Sequence, residues 1–337
     1  MNAAFVQRPP RIDLHRHLEL RVQTILDLAR AHGIALPETT PETLRPYVEI
    51  APAQYGRGLL PFLAHLRPMT AVLADTDAVR RVARENVEDA ARDGLDYVEL
   101  RFSPSFFAAP FGLDPVAVTE AVIAGVDEGR AATGLAVNLI GILSRTFGPN
   151  ACTVELNALL TQRDRIVALD LAGDEAGFPA ALFAHHFARA REAGWSITVH
   201  AGEAAPAASV WEAIRELGAQ RIGHGTRVID DPALMDFIAE RRIGIECNLS
   251  SNVHTGAAGS YAEHPLKAFL AHGILASINT DNPKISGIDW PHEIAVAAPA
   301  AGLGAAEIAQ AQANAFEIAF LTPDQRASLA DALRRGA

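Results

Sequence analysis

Short apolar runs rich in β-branched residues alternate along this chain with longer stretches whose apolar positions recur every three to four residues. The runs predict strands at Arg11–His15, Asp96–Phe102, Val137–Leu143, Ile166–Leu171, Ser196–His200, Arg221–Gly223, Gly244–Leu249 and Leu275–Asn279. Several are nearly unbroken in apolar character, as expected of strands covered on both faces. Between them lie helical patterns. Asp77–Arg92 places Val79, Val82, Ala83, Val87 and Ala90 on one face and charged residues on the others. Pro115–Ala131, Pro179–Ala193, Ser209–Leu217, Pro232–Arg241 and Pro265–His272 read alike, each with a helix-former pattern and several opened by proline, which suits a first turn.

Eight strands alternating with helices predict an α/β fold, a (β/α)8 TIM barrel, formed as one domain over residues 1–337. A doubly wound open sheet is the rival, but no G-x-G-x-x-G follows the first strand and no P-loop is present. Two regions exceed the minimal barrel. Residues 21–74 contain helical Gln23–His32, a proline-rich turn at Pro37–Pro46 and an apolar helical segment at Leu59–Val72, an α-helical insertion after strand one that could cover the barrel mouth. Glu293–Leu333 predicts extra C-terminal helices on the outside.

Composition narrows the function classes. Hydrophobic residues make up 49% and charged residues 20%, so the chain can build a large core without a structural metal. The net charge of −11 argues against nucleic acid and anionic membranes as partners, while leaving an uncharged nucleoside open. Two cysteines, Cys152 and Cys247, suggest a reducing compartment, and Met1 to Pro10 lacks the apolar run of a signal peptide; a cytoplasmic protein is expected.

Candidate chemistry falls at the strand ends. His15 and His17 are two residues apart, a spacing that points both imidazoles the same way on a strand. Roughly 0.4 such pairs arise by chance at this histidine content, so the pair alone is weak. His200-Ala201-Gly202-Glu203 follows an apolar strand; His224 stands between two glycines; Asp281 follows the last strand in Asn279-Thr280-Asp281-Asn282-Pro283. Each has an ordinary structural explanation, but all fall where barrel sites are built. Three imidazoles and a carboxylate suit zinc better than calcium or magnesium. Four protein ligands usually mark a closed site, so catalysis would require a fifth position for water. His32, His65, His185, His186, His254, His264, His272 and His292 lack such pairing and read as structural.

At these residues the chain resembles the adenosine deaminase family. The matching segments are His15-Arg16-His17-Leu18-Glu19, Tyr97 to Pro104, Asp170 to Glu175, His200-Ala201-Gly202-Glu203, Arg221 to Gly225 and Asn279-Thr280-Asp281, spanning most of the chain. The resemblance implies a barrel with one zinc per chain, held by His15, His17, His200 and Asp281. It implies Glu203 as the proton carrier to the purine ring and to the leaving ammonia, and His224 with Asp281 as the groups orienting the nucleophile. Gly173 would present its N–H to the purine, Phe62 and Leu63 would form an apolar lid, Glu19 would meet the ribose 5′ end, and Asn282 would donate to the purine N7. Glu19 stands where adenosine-specific members usually carry Asp, Asn282 where many carry a second Asp, and Leu20-Arg21 replaces a common Gly-Ser. The Asn282 exchange leaves purine recognition intact, while the Glu19-Leu20-Arg21 departures direct attention to a 5′-modified adenosine, 6-amino-6-deoxyfutalosine of menaquinone biosynthesis, beside adenosine itself. An adenine deaminase, a binuclear amidohydrolase and a non-catalytic binding protein on the same scaffold are the alternatives.

Overall fold

A computed structural model describes residues 9–335; nearly all of the segment Met1 to Pro10 lies outside them. Eight parallel strands form in chain order: β1 (Ile12–His17), β2 (Tyr97–Phe102), β3 (Ala136–Ser144), β4 (Ala168–Ala172), β5 (Ser196–Ala201), β6 (Arg221–His224), β7 (Gly244–Cys247) and β8 (Leu275–Ile278). The ring closes between the end of β8 and β1. The His17 N–H donates to the Asp281 carbonyl at 2.8 Å, and the Asp281 N–H donates to the His15 carbonyl at 2.7 Å. This is the (β/α)8 barrel the alternating pattern predicts. All eight strands lie within about two residues of their expected ends, and β7 stops at Cys247 because a helix, Leu249–Thr255, starts immediately after it.

The helices follow from local chemistry. Thr76–Arg92 begins where the Asp75 carboxylate accepts the Ala78 N–H at 2.8 Å, and Val79, Val82, Ala83, Val87 and Ala90 are all buried. It packs on Pro115–Thr133, which opens with a proline after Asp114 and ends at Gly134 in the left-handed conformation. Two corrections apply. The proline-rich turn expected at Pro37–Pro46 is largely a helix, Pro41–Val48, because Thr40 caps its start, Pro41 occupies the first turn and Pro46 falls late enough to be tolerated. A further helix, Gly148–Leu160, fills the β3–β4 connection, where no helix was read from the sequence. The insertion after β1 is helical, in short pieces Leu59–Leu63, Ala64–Leu66 and Arg67–Thr70. The C-terminal region carries Ala305–Ile318 and Pro323–Arg335.

The barrel interior departs from the usual branched-aliphatic filling. Arg101 reaches Asp170 at 2.9 Å and Glu246 at 2.8 Å; Arg221 reaches the other oxygen of Glu246 at 2.7 Å and pairs with Glu99. Tyr97 donates to Glu99 at 2.9 Å and Thr198 to Glu246 at 2.8 Å. All are buried. Removing such charges from water costs several kcal/mol per ion, offset here because each is paired and hydrogen-bonded.

Candidate active site

The strand ends bring four ligand-type side chains together. His15 and His17 leave β1, His200 leaves β5 and Asp281 follows β8; one donor atom from each lies within 4.8 Å of the others. The Nδ1 atoms are already committed: His15 Nδ1 lies 2.7 Å from Glu246, and His200 Nδ1 lies 3.0 Å from Asp170. That turns the Nε2 atoms inward. His17 Nε2 stands 3.3 Å from His200 Nε2, and Asp281 Oδ1 stands 3.3 Å from both His15 Nε2 and His17 Nε2. His15 Nε2 is buried with no hydrogen-bond partner. Burial lowers His17 to about 4 and also lowers His200, leaving their lone pairs free at neutral pH. An orphaned imidazole nitrogen, a second imidazole against it and a carboxylate between them fit a divalent cation, with carboxylates fixing the ring tautomers from behind.

Two backbone positions aim these groups. His224 and Asp281 are non-glycine residues with φ of 65° and 59°. The left-handed region costs energy for such residues and persists where surrounding structure imposes it, commonly at functional sites. Gly223 keeps space for the ligand ring: a Cβ there would lie 3.0 Å from His15 and crowd it.

Glu203 and His224 flank the cluster, with Glu203 Oε2 3.6 Å from His224 Nε2. Burial, then the charges of Asp281 and Glu175, raise Glu203 well above the ordinary carboxylate range, so it carries a proton. Burial, reinforced by the neighbouring histidines, holds His224 well below its ordinary value, so it is neutral. Beneath the Glu203 loop, the Glu175 carboxylate accepts the N–H groups of Gly202 at 2.6 Å, Glu203 at 3.1 Å and Ala204 at 2.7 Å, together with the Ser209 hydroxyl. Glu175 thus shapes the loop and electrostatically favours the acid form of Glu203.

The cluster opens into a cavity of about 450 Å³. His17, His200, Glu203, His224, Asp281, Asn282 and Gly173 line its polar end, while Phe62, Leu63 and Met69 of the insertion and Phe106 and Phe107 supply apolar wall. Gly173 has φ 107°, and a Cβ there would meet Thr146 Oγ1 at 2.5 Å. The structure therefore brings together every residue singled out from the sequence except one. Glu19 is buried and absent from the cavity wall. Its carboxylate accepts the N–H of Lys284 at 2.7 Å and of Ile285 at 3.4 Å, and the Asn282 amide at 3.2 Å. In the structure Glu19 braces Asn282 and the turn after it. Glu246, Asp170 and Glu175 were not singled out as site residues from sequence. Their signal was present, as charged residues inside or just after apolar strand runs.

An eight-stranded barrel with three imidazoles and a carboxylate at its C-terminal mouth, beside a protonated glutamic acid, defines a metal-dependent hydrolase. The model of the family described as adenosine deaminase matches residues 10–335. The adenosine deaminase of Klebsiella pneumoniae is 57% identical over 329 residues, covering 97% of this chain and 98% of that protein. Among solved structures, adenine deaminase from Arthrobacter aurescens superposes with a TM-score of 0.89 at 26% identity, covering 97% of this chain and 99% of that one. A Burkholderia ambifaria amidohydrolase with bound Zn shares the fold with a TM-score of 0.84 at 22% identity, covering 99% and 96%. The chain belongs to the adenosine deaminase family, as a hydrolytic purine deaminase. Among the described residues no helix is long and apolar enough to cross a membrane.

Proposed function

We propose that this cavity hydrolyses the 6-amino group of adenosine, yielding inosine and ammonia, with one zinc held by His15, His17, His200 and Asp281. The observation that carries the reading is the convergence of His15, His17, His200 and Asp281 with buried Glu203 beside His224 at its edge; burial raises Glu203 and lowers His224 in keeping with it. The 57% identical relative named adenosine deaminase supports the choice of substrate. When bound, the metal supplies hydroxide from water near neutral pH. The protein groups do the rest. Glu203 donates its proton to purine N1, which makes the amine-bearing carbon electrophilic; as a carboxylate it then takes the proton of the hydroxyl added to that carbon and passes it to the amino group, which leaves as ammonia as the C–N bond breaks and the C–O bond becomes a carbonyl. His224 and Asp281 orient the attacking oxygen, and the Ser251 hydroxyl fixes Asp281 through its other oxygen. The Gly173 backbone and the Asn282 amide meet the purine edge, and Phe62 with Leu63 covers the ring and excludes water.

The motive for a 5′-modified substrate weakens with the placement of Glu19 and Arg21. The Arg21 guanidinium is bound to Asp89 at 2.8 Å, to Glu88 at 3.0 Å and to the Glu85 carbonyl at 3.0 Å. Only Leu20 of that pair reaches the cavity wall. Plain adenosine is therefore the better reading. Ammonia release should be followed with zinc-loaded protein on adenosine, adenine and 6-amino-6-deoxyfutalosine separately, each with and without a chelator. Adenosine should be turned over fastest and the chelator should abolish turnover; a large preference for either other substrate overturns the reading.

A further inference from the structure

The two ring nitrogens of His224 face opposite ways. Nε2 faces Glu203 and the cavity. Nδ1 faces the helix Leu249–Thr255, where Asn252 Nδ2 lies 2.8 Å away and Asn248 Nδ2 lies 3.2 Å away. An asparagine can offer a histidine either its oxygen or its NH2, so the pair by itself does not set the proton. The next group outward does. Asn252 Oδ1 lies 3.0 Å from His264 Nε2, and His264 Nδ1 accepts the backbone N–H of Leu266 at 3.1 Å.

A backbone N–H can only donate. His264 Nδ1 must therefore present a lone pair. Burial holds His264 down at about 3, so it is neutral and its one proton sits on Nε2. That proton requires the oxygen of Asn252, which turns the Asn252 NH2 toward His224. His224 Nδ1 must then accept, and its proton is left on Nε2.

We propose that His264 and Asn252, anchored on the Leu266 N–H, form a relay that sets the tautomer of His224 and presents its Nε2–H to the reacting centre. Neither relay residue lines the cavity; both are positioning residues. The proposal rests on the deaminase reading and sharpens it: His224 meets the oxygen developing charge as a fixed hydrogen-bond donor. It does not remove a proton from the nucleophile, because its Nε2 already carries one and its Nδ1 accepts from the Asn252 NH2.

The test uses the zinc-loaded full chain labelled with ¹⁵N-histidine. Long-range ¹H–¹⁵N correlation reads which ring nitrogen is protonated, and the His224→Gln spectrum assigns the His224 signals. Protonated Nε2 and bare Nδ1 on both His224 and His264 are expected; a proton on His224 Nδ1 overturns the proposal, and the wild-type spectrum alone decides this. Asn252→Asp offers His224 an acceptor, so its proton should move to Nδ1. Turnover (kcat) should then fall roughly 10²- to 10⁴-fold, the scale of losing a transition-state donor or fixing the wrong tautomer, with KM and zinc content near wild type. Unchanged kcat in a zinc-replete variant would overturn the relay. His264→Gln keeps an NH2 donor for Asn252 and should retain more activity than His264→Leu; equal losses would count against it. If the wild type shows the expected tautomer yet leaves adenosine untouched, it is the functional reading that fails.

Discussion

Glu246 holds His15 by its Nδ1 at 2.7 Å while both of its oxygens also receive arginine guanidinium groups. Burial alone would raise this carboxylate, but Arg101, Arg221 and the His15 bond outweigh burial and keep it well below the ordinary range. It stays charged and sets the His15 tautomer. Glu246→Gln should weaken zinc affinity by about 10- to 100-fold, the usual cost of losing a supporting carboxylate. Competition against a chromophoric chelator measures this. Wild-type affinity in a folded variant would show that His15 needs no such brace.

Glu203→Gln removes the proton carrier and keeps the shape. We expect kcat to fall roughly 10²- to 10⁴-fold, in the range attributed to general acid–base groups, with zinc content unaltered. Elemental analysis beside steady-state kinetics separates the two effects. Full activity in the variant would end the acid role.

Asn282 lies 3.2 Å from Glu19, whose carboxyl is raised to about 7, chiefly by burial. Asn282→Asp would set two carboxyl groups against each other in a buried site, and one must keep its proton. The variant should lose stability relative to wild type as pH rises from 6 to about 9, by roughly 1–3 kcal/mol if the pair is forced to ionise. Thermal denaturation at several pH values gives the comparison, and parallel curves would refute the coupling.

Glu293 is buried, and burial outweighs its bonds from Ser250, raising it from the ordinary 4.5 to about 8. The folded chain thus binds this proton more tightly than the unfolded chain. The stabilisation is complete below pH 4.5 and is lost as pH climbs through 8. Glu293→Gln cannot ionise, so across that window the wild type should lose up to about 1.4 kcal/mol per pH unit relative to the variant. Denaturant titrations at pH 5 and pH 8.5 read the difference; an unchanged gap between the two proteins would place Glu293 in its charged form throughout.

The barrel was legible because short, largely apolar runs rich in β-branched residues recur eight times, a pattern that the helix periods between them do not imitate. The ligand set was legible because His15, His17, His200 and Asp281 each end a strand, where the fold itself makes them converge. The direction of Glu19 was not legible, because sequence adjacency to His17 says nothing about which way a residue beyond the strand turns; its carboxylate meets the N–H groups of Lys284 and Ile285. The helix at Pro41–Val48 was hidden by its prolines, which look like turn residues until Thr40 is recognised as a cap. His264 gave no sign at all. Its importance depends on Leu266 and Asn252 lying on either side of it, and no spacing rule encodes that.

The charged layer inside the barrel bears on how the protein can be taken apart. Arg101 comes from β2, Asp170 from β4, Arg221 from β6 and Glu246 from β7. A fragment ending after β5 would carry Arg101 with Asp170 but lack Glu246, and the complementary piece would hold Glu246 and Arg221 without Arg101 or Glu99. The first piece would strand Glu99 without Arg221 and leave Arg101 with one of its two carboxylates; the second would leave Arg221 and Glu246 each short of a partner. Splitting the gene there should yield two insoluble products, and the ring should come together in a single cooperative step.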